Sequence, residues 1–140
     1  MKLLLSRWLP ALLWAAVIFS ISAIPEPLDA LPSEFSIKLQ TMQVLGIEMV
    51  AILSFLIHLF LYLVLGFLSS RAFVGGQKLA HKPLIFVFLF CMAYALSDEV
   101  HQLFVQGRGF EWIDLLADGI GVSIGKIAFT TAFPLKKRPD

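Results

Sequence analysis

The chain has little charge and almost no cysteine. Lys, Arg, Asp and Glu make up 15% of its 140 residues, where soluble domains carry about a quarter. Its one cysteine, Cys91, lies in an apolar run, which excludes an intrachain disulfide and a cysteine-based zinc site. There is no internal repeat and no low-complexity tract. Two histidines and several carboxylates could bind a divalent metal, but with no H-E-x-x-H or similar ligand spacing no metal or other cofactor is expected. The one dense basic cluster, Lys136-Lys137-Arg138, ends the chain and reads as a membrane flank, with no surface for nucleic acid. What abounds is apolar: 59% of residues are hydrophobic, and the mean hydropathy is +0.85. This balance points to an integral membrane protein, and residues 1–140 suit a single domain.

A helical span needs about 20 mostly apolar residues. Four stretches qualify: Trp8 to Ile24, closed by Pro25-Glu26-Pro27; a stretch within Val44 to Phe73; Leu84 to Val105; and Trp112 to Phe133, closed by Pro134. Lys2 and Arg7 ahead of the first would also suit a signal peptide, but Ser20 to Ser22 make a poor cleavage site, so it is kept as a span. The predicted fold is all-α, a polytopic bundle of four transmembrane helices. Lys2 and Arg7, then Arg71, Lys78 and Lys82, then Lys136, Lys137 and Arg138 flank one side, while the opposite loops carry only Lys38 and Arg108. The positive-inside bias therefore predicts both termini in the cytoplasm.

The polar residues of the last two spans fall at matching depths. With the third span ending near Val105, Asp98 lies about 10 Å below that end and His101 about 6 Å. With the fourth entering near Trp112, Asp114 lies about 3 Å in and Asp118 about 9 Å. At roughly 100° per residue, Tyr94, Asp98, His101, Gln102 and Val105 share one stripe, and Glu99 points to the side. Asp114, Ala117, Asp118, Gly121 and Gly125 share another, so the acidic face is also a small-residue face that admits a close neighbour. Glu99 and Glu111 read as solvated rim residues. Asp98 and Asp118, a turn deeper, need a partner, a proton or a wet cleft. Arg108 reads equally as an anion grip or as a bridge to Glu99 or Asp114. His101 reads as an interfacial histidine or as a general base oriented by Asp98, which makes His101 and Asp98 the catalytic candidates.

The stretch from Tyr94 to Gly125, "YALSDEVHQLFVQGRGFEWIDLLADGIGVSIG", resembles the C-terminal signature of the VanZ-like family of bacterial membrane proteins. It supplies the family's acid, Gln, Gly-Arg, Asp, Asn-or-Asp and Gly-x-x-x-Gly positions as Glu99, Gln102, Gly107-Arg108, Asp114, Asp118 and Gly121/Gly125. "HLFLYLVLG" supplies the family's H-x-x-x-Y-x-x-x-G spacing as His58, Tyr62 and Gly66, and "WAAVIFSIS" looks like its first span. Two positions depart from the pattern: Ser54-Phe55 replaces a frequent Asp-Lys pair, and Asp118 stands where Asn is common. The resemblance implies an envelope context, since the namesake is linked to low-level resistance to the glycopeptide teicoplanin.

Where the second span begins decides whether His58 joins the site. A start near Gly46 puts His58 about 18 Å deep, and a start near Leu53 puts it about 8 Å deep, level with Asp98 and Asp118. Phe35, Leu39, Met42, Leu45, Met49 and Ile52 recur at helical spacing with Ser36, Lys38, Gln40, Gln43 and Glu48 between them. The expectation is an amphipathic helix over this stretch on the outer surface; a longer, tilted span is the alternative. On the first arrangement His58, Tyr62, Tyr94, Asp98, Glu99, His101, Gln102, Arg108, Asp114 and Asp118 are ligand-binding candidates around one outward cleft, with Gly66, Gly121 and Gly125 as helix-packing residues. Three functions follow: a factor binding an envelope lipid, a cell-wall intermediate or a peptide; a membrane-embedded hydrolase or transferase acting on a phosphorylated lipid; and a small transporter or assembly partner, which would require a homo-oligomer.

Overall fold

The computed structural model of the chain describes residues 2–25, 32–74 and 82–133. Five helices dominate it: α1 (Lys2–Ser22), α2 (Ser33–Thr41), α3 (Met49–Val74), α4 (Lys82–Gln102) and α5 (Trp112–Ala132). Three of them are long and apolar enough to cross a membrane, over Met49–Val74, Leu84–Gln102 and Trp112–Ala132. The first helix adds a shorter apolar stretch, Ser6–Ser22. The all-α, membrane-helix expectation therefore holds. Lys78 and the Lys136–Arg138 cluster, used above for orientation, lie outside the described residues.

The segment before α3 departs from the expected surface helix. The helical part, α2, ends at Thr41, and an antiparallel hairpin follows, pairing Gln43 with Glu48 and Val44 with Ile47. Leu45 (φ 55°) and Gly46 (φ 81°) make its turn, the double left-handed conformation of a two-residue hairpin loop. Apolar spacing continued through this stretch, but Gly46 and the turn end the helix. Helix α3 accordingly begins at Met49, between the two expected starts, which puts His58 about 13.5 Å into its helix.

The closest helix contact is between α3 and α5. They run parallel, in a register offset of sixty residues: Ser54 meets Asp114 and His58 meets Asp118. Below these pairs the backbones touch. A Cβ on Gly121 would strike the Leu59 carbonyl oxygen, and one on Gly125 the Leu63 carbonyl oxygen; one on Gly66 would lie 2.7 Å from the Val122 carbonyl oxygen. The small face of α5 thus serves α3 rather than its chain neighbour α4.

The other two long helices close the bundle around a core of Ile18, Leu61, Tyr62, Leu65, Val87, Cys91, Ala95 and Val122. Helix α1 crosses the full set of contacts. Near its start, Trp8 packs edge-on against Phe73 and Phe90. Midway, Trp14 Nε1 donates to the Leu61 carbonyl at 2.8 Å, and Tyr94 Oη donates to the Ala15 carbonyl at 2.6 Å. At its end, Ser22 Oγ donates to Asp98 Oδ2 at 2.8 Å. The end of α1, the start of α3, the end of α4 and the start of α5 therefore meet at one pole of the bundle.

Gly121→Ala and Gly125→Ala should each destabilise the protein by about 1–3 kcal/mol, because backbone must move to admit the new methyl. Gly119→Ala should be near neutral, since its nearest neighbour is the flexible Met92 side chain at 3.6 Å. Thermal unfolding of the three variants in one membrane mimetic measures the contrast, and equal losses at all three positions would contradict it.

Candidate functional site

The polar pole is built from terminal turns of four helices and the loop after α4. Asp98, Glu99, Asp114 and Asp118 are 3%, 0%, 3% and 0% exposed. Carboxylates this deep require donors, and each draws one from an element other than its own helix. Asp98 Oδ2 accepts from Ser22 of α1. Glu99 Oε2 accepts the backbone N–H of Glu111 at 2.9 Å, where the chain enters α5. Asp114, in the first turn of α5, accepts from Ser54 Oγ at 3.1 Å through Oδ2. Asp118 Oδ1 lies 3.0 Å from His58 Nδ1. The other His58 nitrogen, Nε2, lies 3.5 Å from Asp114 Oδ2, so the imidazole is bracketed by two carboxylates.

Gln102 joins the parts that touch no common residue. Its Nε2 reaches Asp98 Oδ2 at 3.5 Å and Glu99 Oε1 at 3.4 Å, while its Oε1 accepts from Arg108 Nε and Nη2 at 3.3 and 3.0 Å. Gly107 (φ 75°) turns the loop so that Arg108 folds back over the pole. Arg108 forms no bridge to Glu99 or Asp114: among the described residues, no Lys or Arg comes within 4.0 Å of a carboxylate. Its fork closes on a neutral amide, and its charge stays available.

A cavity of about 590 Å³ opens beside this network. Its walls are apolar, from Ile18 and Ile21 of α1, Phe35 and Leu39 of α2, Met42, and Leu53 and Ile57 of α3. Its polar end is formed by Ser22, Ser54, His58, Tyr62, Asp98 and Arg108. The apolar face of α2 is therefore its cover.

Of the candidates, His58, Tyr62, Asp98 and Arg108 line the cavity. Glu99, Gln102, Asp114 and Asp118 form the buried network behind it. The rim position expected for Glu99 is corrected: α4 is packed on more than one face, and the side chain is fully covered. The Tyr94 hydroxyl is tied to α1. The His101 ring stacks on Phe19 with centroids 4.4 Å apart, and its buried Nε2 has no hydrogen-bond partner; Asp98 bonds Ser22 and Gln102 instead. Sequence reasoning missed Ser22 and Ser54 as donors. The only signal for Ser54 was that it stands where the resembled pattern has an acid.

A family model described as VanZ/LLP1 matches residues 7–133, which takes in all five helices except the first turn of α1. Neither a curated protein nor a solved structure matches the chain.

The His58–Asp118 pair should behave as one unit. In a double-mutant cycle of His58→Ala and Asp118→Ala, the coupling energy in unfolding should be about 0.5–3 kcal/mol. The pair Ser97→Ala and Asp118→Ala, with Ser97 exposed and bonded within its own helix, should add within about 0.5 kcal/mol. Additivity in both cycles would mean that the His58–Asp118 contact carries no energy.

Proposed function

The chain belongs to the VanZ/LLP1 family, and from that premise we propose a four-span protein of the bacterial cytoplasmic membrane that binds an envelope lipid or lipid-linked cell-wall intermediate at its outer pole. The observation that carries this reading is the division of the cavity. One end holds a guanidinium, two serines, a tyrosine, an imidazole and the Asp98 carboxylate, which is already bonded to Ser22, and the remaining wall is hydrocarbon. That pattern suits an amphiphile with a polar, anionic head. Arg108 is the group that would take a phosphate, since its charge is not cancelled by a carboxylate and guanidinium pairs strongly with phosphate oxygens.

Helix α1 counts as the fourth span in this proposal because its contacts run from Phe73, at the end of α3, to Asp98 near the opposite pole. Both termini then lie in the cytoplasm, on the side of Arg7 and Arg71, and the pole with α2 and Arg108 lies outside. The short helix α2 and the hairpin lie at the outer interface, where exposed Phe35, Ile37, Leu45 and Ile47 meet lipid. The namesake's link to teicoplanin supplies a cellular readout: tolerance conferred by the native chain and lost with the variant that loses the ligand.

In lipid nanodiscs, the native protein should retain a photo-crosslinkable polyprenyl or diacyl phosphate. Arg108→Gln should weaken retention at least about tenfold, in line with one lost charge-assisted contact of about 1.5–3 kcal/mol. Leu53→Trp should block it by filling the cavity. Retention equal to native in both variants would remove the cavity from the proposal. Orientation is tested separately: Glu48→Cys, at the exposed hairpin, should react with an impermeant maleimide in intact cells, and an unreactive thiol would reverse the outward placement.

A further inference from the structure

We propose that His58, Glu99 and Asp114 bind one divalent transition-metal ion of the Mn²⁺ to Zn²⁺ series, with Asp118 holding the histidine ring in its metal-binding orientation. The three ligands come from α3, α4 and α5. One ligand atom from each lies within 4.8 Å of the other two, and all three side chains are buried. Ligands about 2.1 Å from a tetrahedral ion stand about 3.4 Å apart. The set therefore closes on an ion when each side chain moves by less than about 1 Å, a change within the reach of side-chain rotation.

The arrangement of His58 is the second observation. Nδ1 lies 3.0 Å from Asp118 Oδ1. When Nδ1 carries the hydrogen and donates there, Nε2 presents a bare lone pair, and it faces Asp114 Oδ2 at 3.5 Å. A lone pair against a carboxylate needs a cation between them, either a proton or a metal ion. A carboxylate that accepts from the far nitrogen of a metal-bound histidine is the usual support for such a ligand. Asp114 Oδ1 points the same way: the residue is 3% exposed, and this oxygen is buried without a partner. Glu99 Oε1 has only the long 3.4 Å contact with Gln102. These oxygens have lone pairs to give, and among the described residues no Lys or Arg comes within 4.0 Å of them.

One imidazole with two carboxylates selects the class of ion. Mg²⁺ prefers an octahedral shell of oxygen and water, whereas imidazole suits Fe²⁺ through Zn²⁺ and the two carboxylates also admit Mn²⁺. The sequence offered no metal motif because the ligands are spread over three helices and meet only after α3 and α5 pack in register. The site is separate from the lipid reading: the ion is read directly, so loss of lipid binding leaves it standing, and loss of the ion leaves the cavity.

Full-length protein in nanodiscs, stripped with a chelator, is titrated with Zn²⁺ or Mn²⁺ in excess Mg²⁺. Bound metal is counted by mass spectrometry, and its ligands are read by X-ray absorption. The expected result is about one ion per chain with one imidazole and oxygen neighbours. Affinity should fall at least about tenfold in Glu99→Gln and Asp114→Asn, and about 10–100-fold in Asp118→Asn. Glu34→Gln, an exposed acid on α2, should bind as native. Circular dichroism checks that each variant is folded. If the variants do not fold, the native protein decides alone: an ion shell without imidazole, or no stoichiometric ion, overturns the site. Binding that survives both Glu99→Gln and Asp114→Asn also overturns it.

Discussion

The backbone contact between α3 and α5 is the constraint on which the rest depends. Three glycines let the two helices touch, and at that distance sliding one past the other would drive carbonyls into Cα atoms. The contact therefore fixes register as well as proximity. Because α3 and α5 are parallel, their first turns lie at the same pole, and the fixed offset places Ser54 on Asp114 and His58 on Asp118. A gap opened by even one methyl would stretch hydrogen bonds of 3.0–3.1 Å toward the range where they weaken steeply. The glycines deep in the bundle and the charges at its pole are one design, with the first setting the geometry of the second.

Four covered carboxylates at one pole would repel each other without neutral donors between them. The structure supplies those donors from hydroxyls, a backbone N–H and one amide. Gln102 is central, because an amide can donate and accept at once. Its Nε2 faces two acids while its Oε1 holds Arg108. Glutamate at this position would add a fifth carboxylate, and leucine would leave both the guanidinium and Glu99 short of a partner. The neutral amide also keeps Arg108 from collapsing onto Glu99, which leaves its charge at the cavity.

Much of this was legible in the sequence. The three long spans follow from apolar length, and the stripe of Asp114, Ala117, Asp118, Gly121 and Gly125 is buried as helical spacing predicts. The end of α2 was not legible, because apolar spacing continues across Leu45 and Gly46 while the backbone there turns left-handed. Nor was the burial of Glu99: a helical wheel assigns a residue to a face but does not say how many neighbours cover the helix. The serines fail for a different reason. Ser70 and Ser123 donate to carbonyls four residues back in their own helices, the usual fate of a hydroxyl in an apolar helix. Nothing local separates them from Ser22 and Ser54, which reach across to another helix.

The pole is divided between two environments, and His58 belongs to both. On the α1–α2 side the cavity is hydrocarbon with Arg108, Ser22 and Asp98 at its end. On the α4–α5 side lie Glu99, Asp114 and Asp118, which do not line the cavity. An anionic head entering the cavity would thus meet the guanidinium and three hydroxyls, with Asp98 as the one acid in the lining. The side chains it met would already be fixed. Ser22 is bonded to Asp98, Ser54 to Asp114, Arg108 to Gln102, and His58 lies against Asp118. Fixing these groups before a ligand arrives lowers the entropy lost on binding. Asp114 and Asp118 therefore act on the cavity by holding Ser54 and His58 in place, a role that needs no contact with whatever enters.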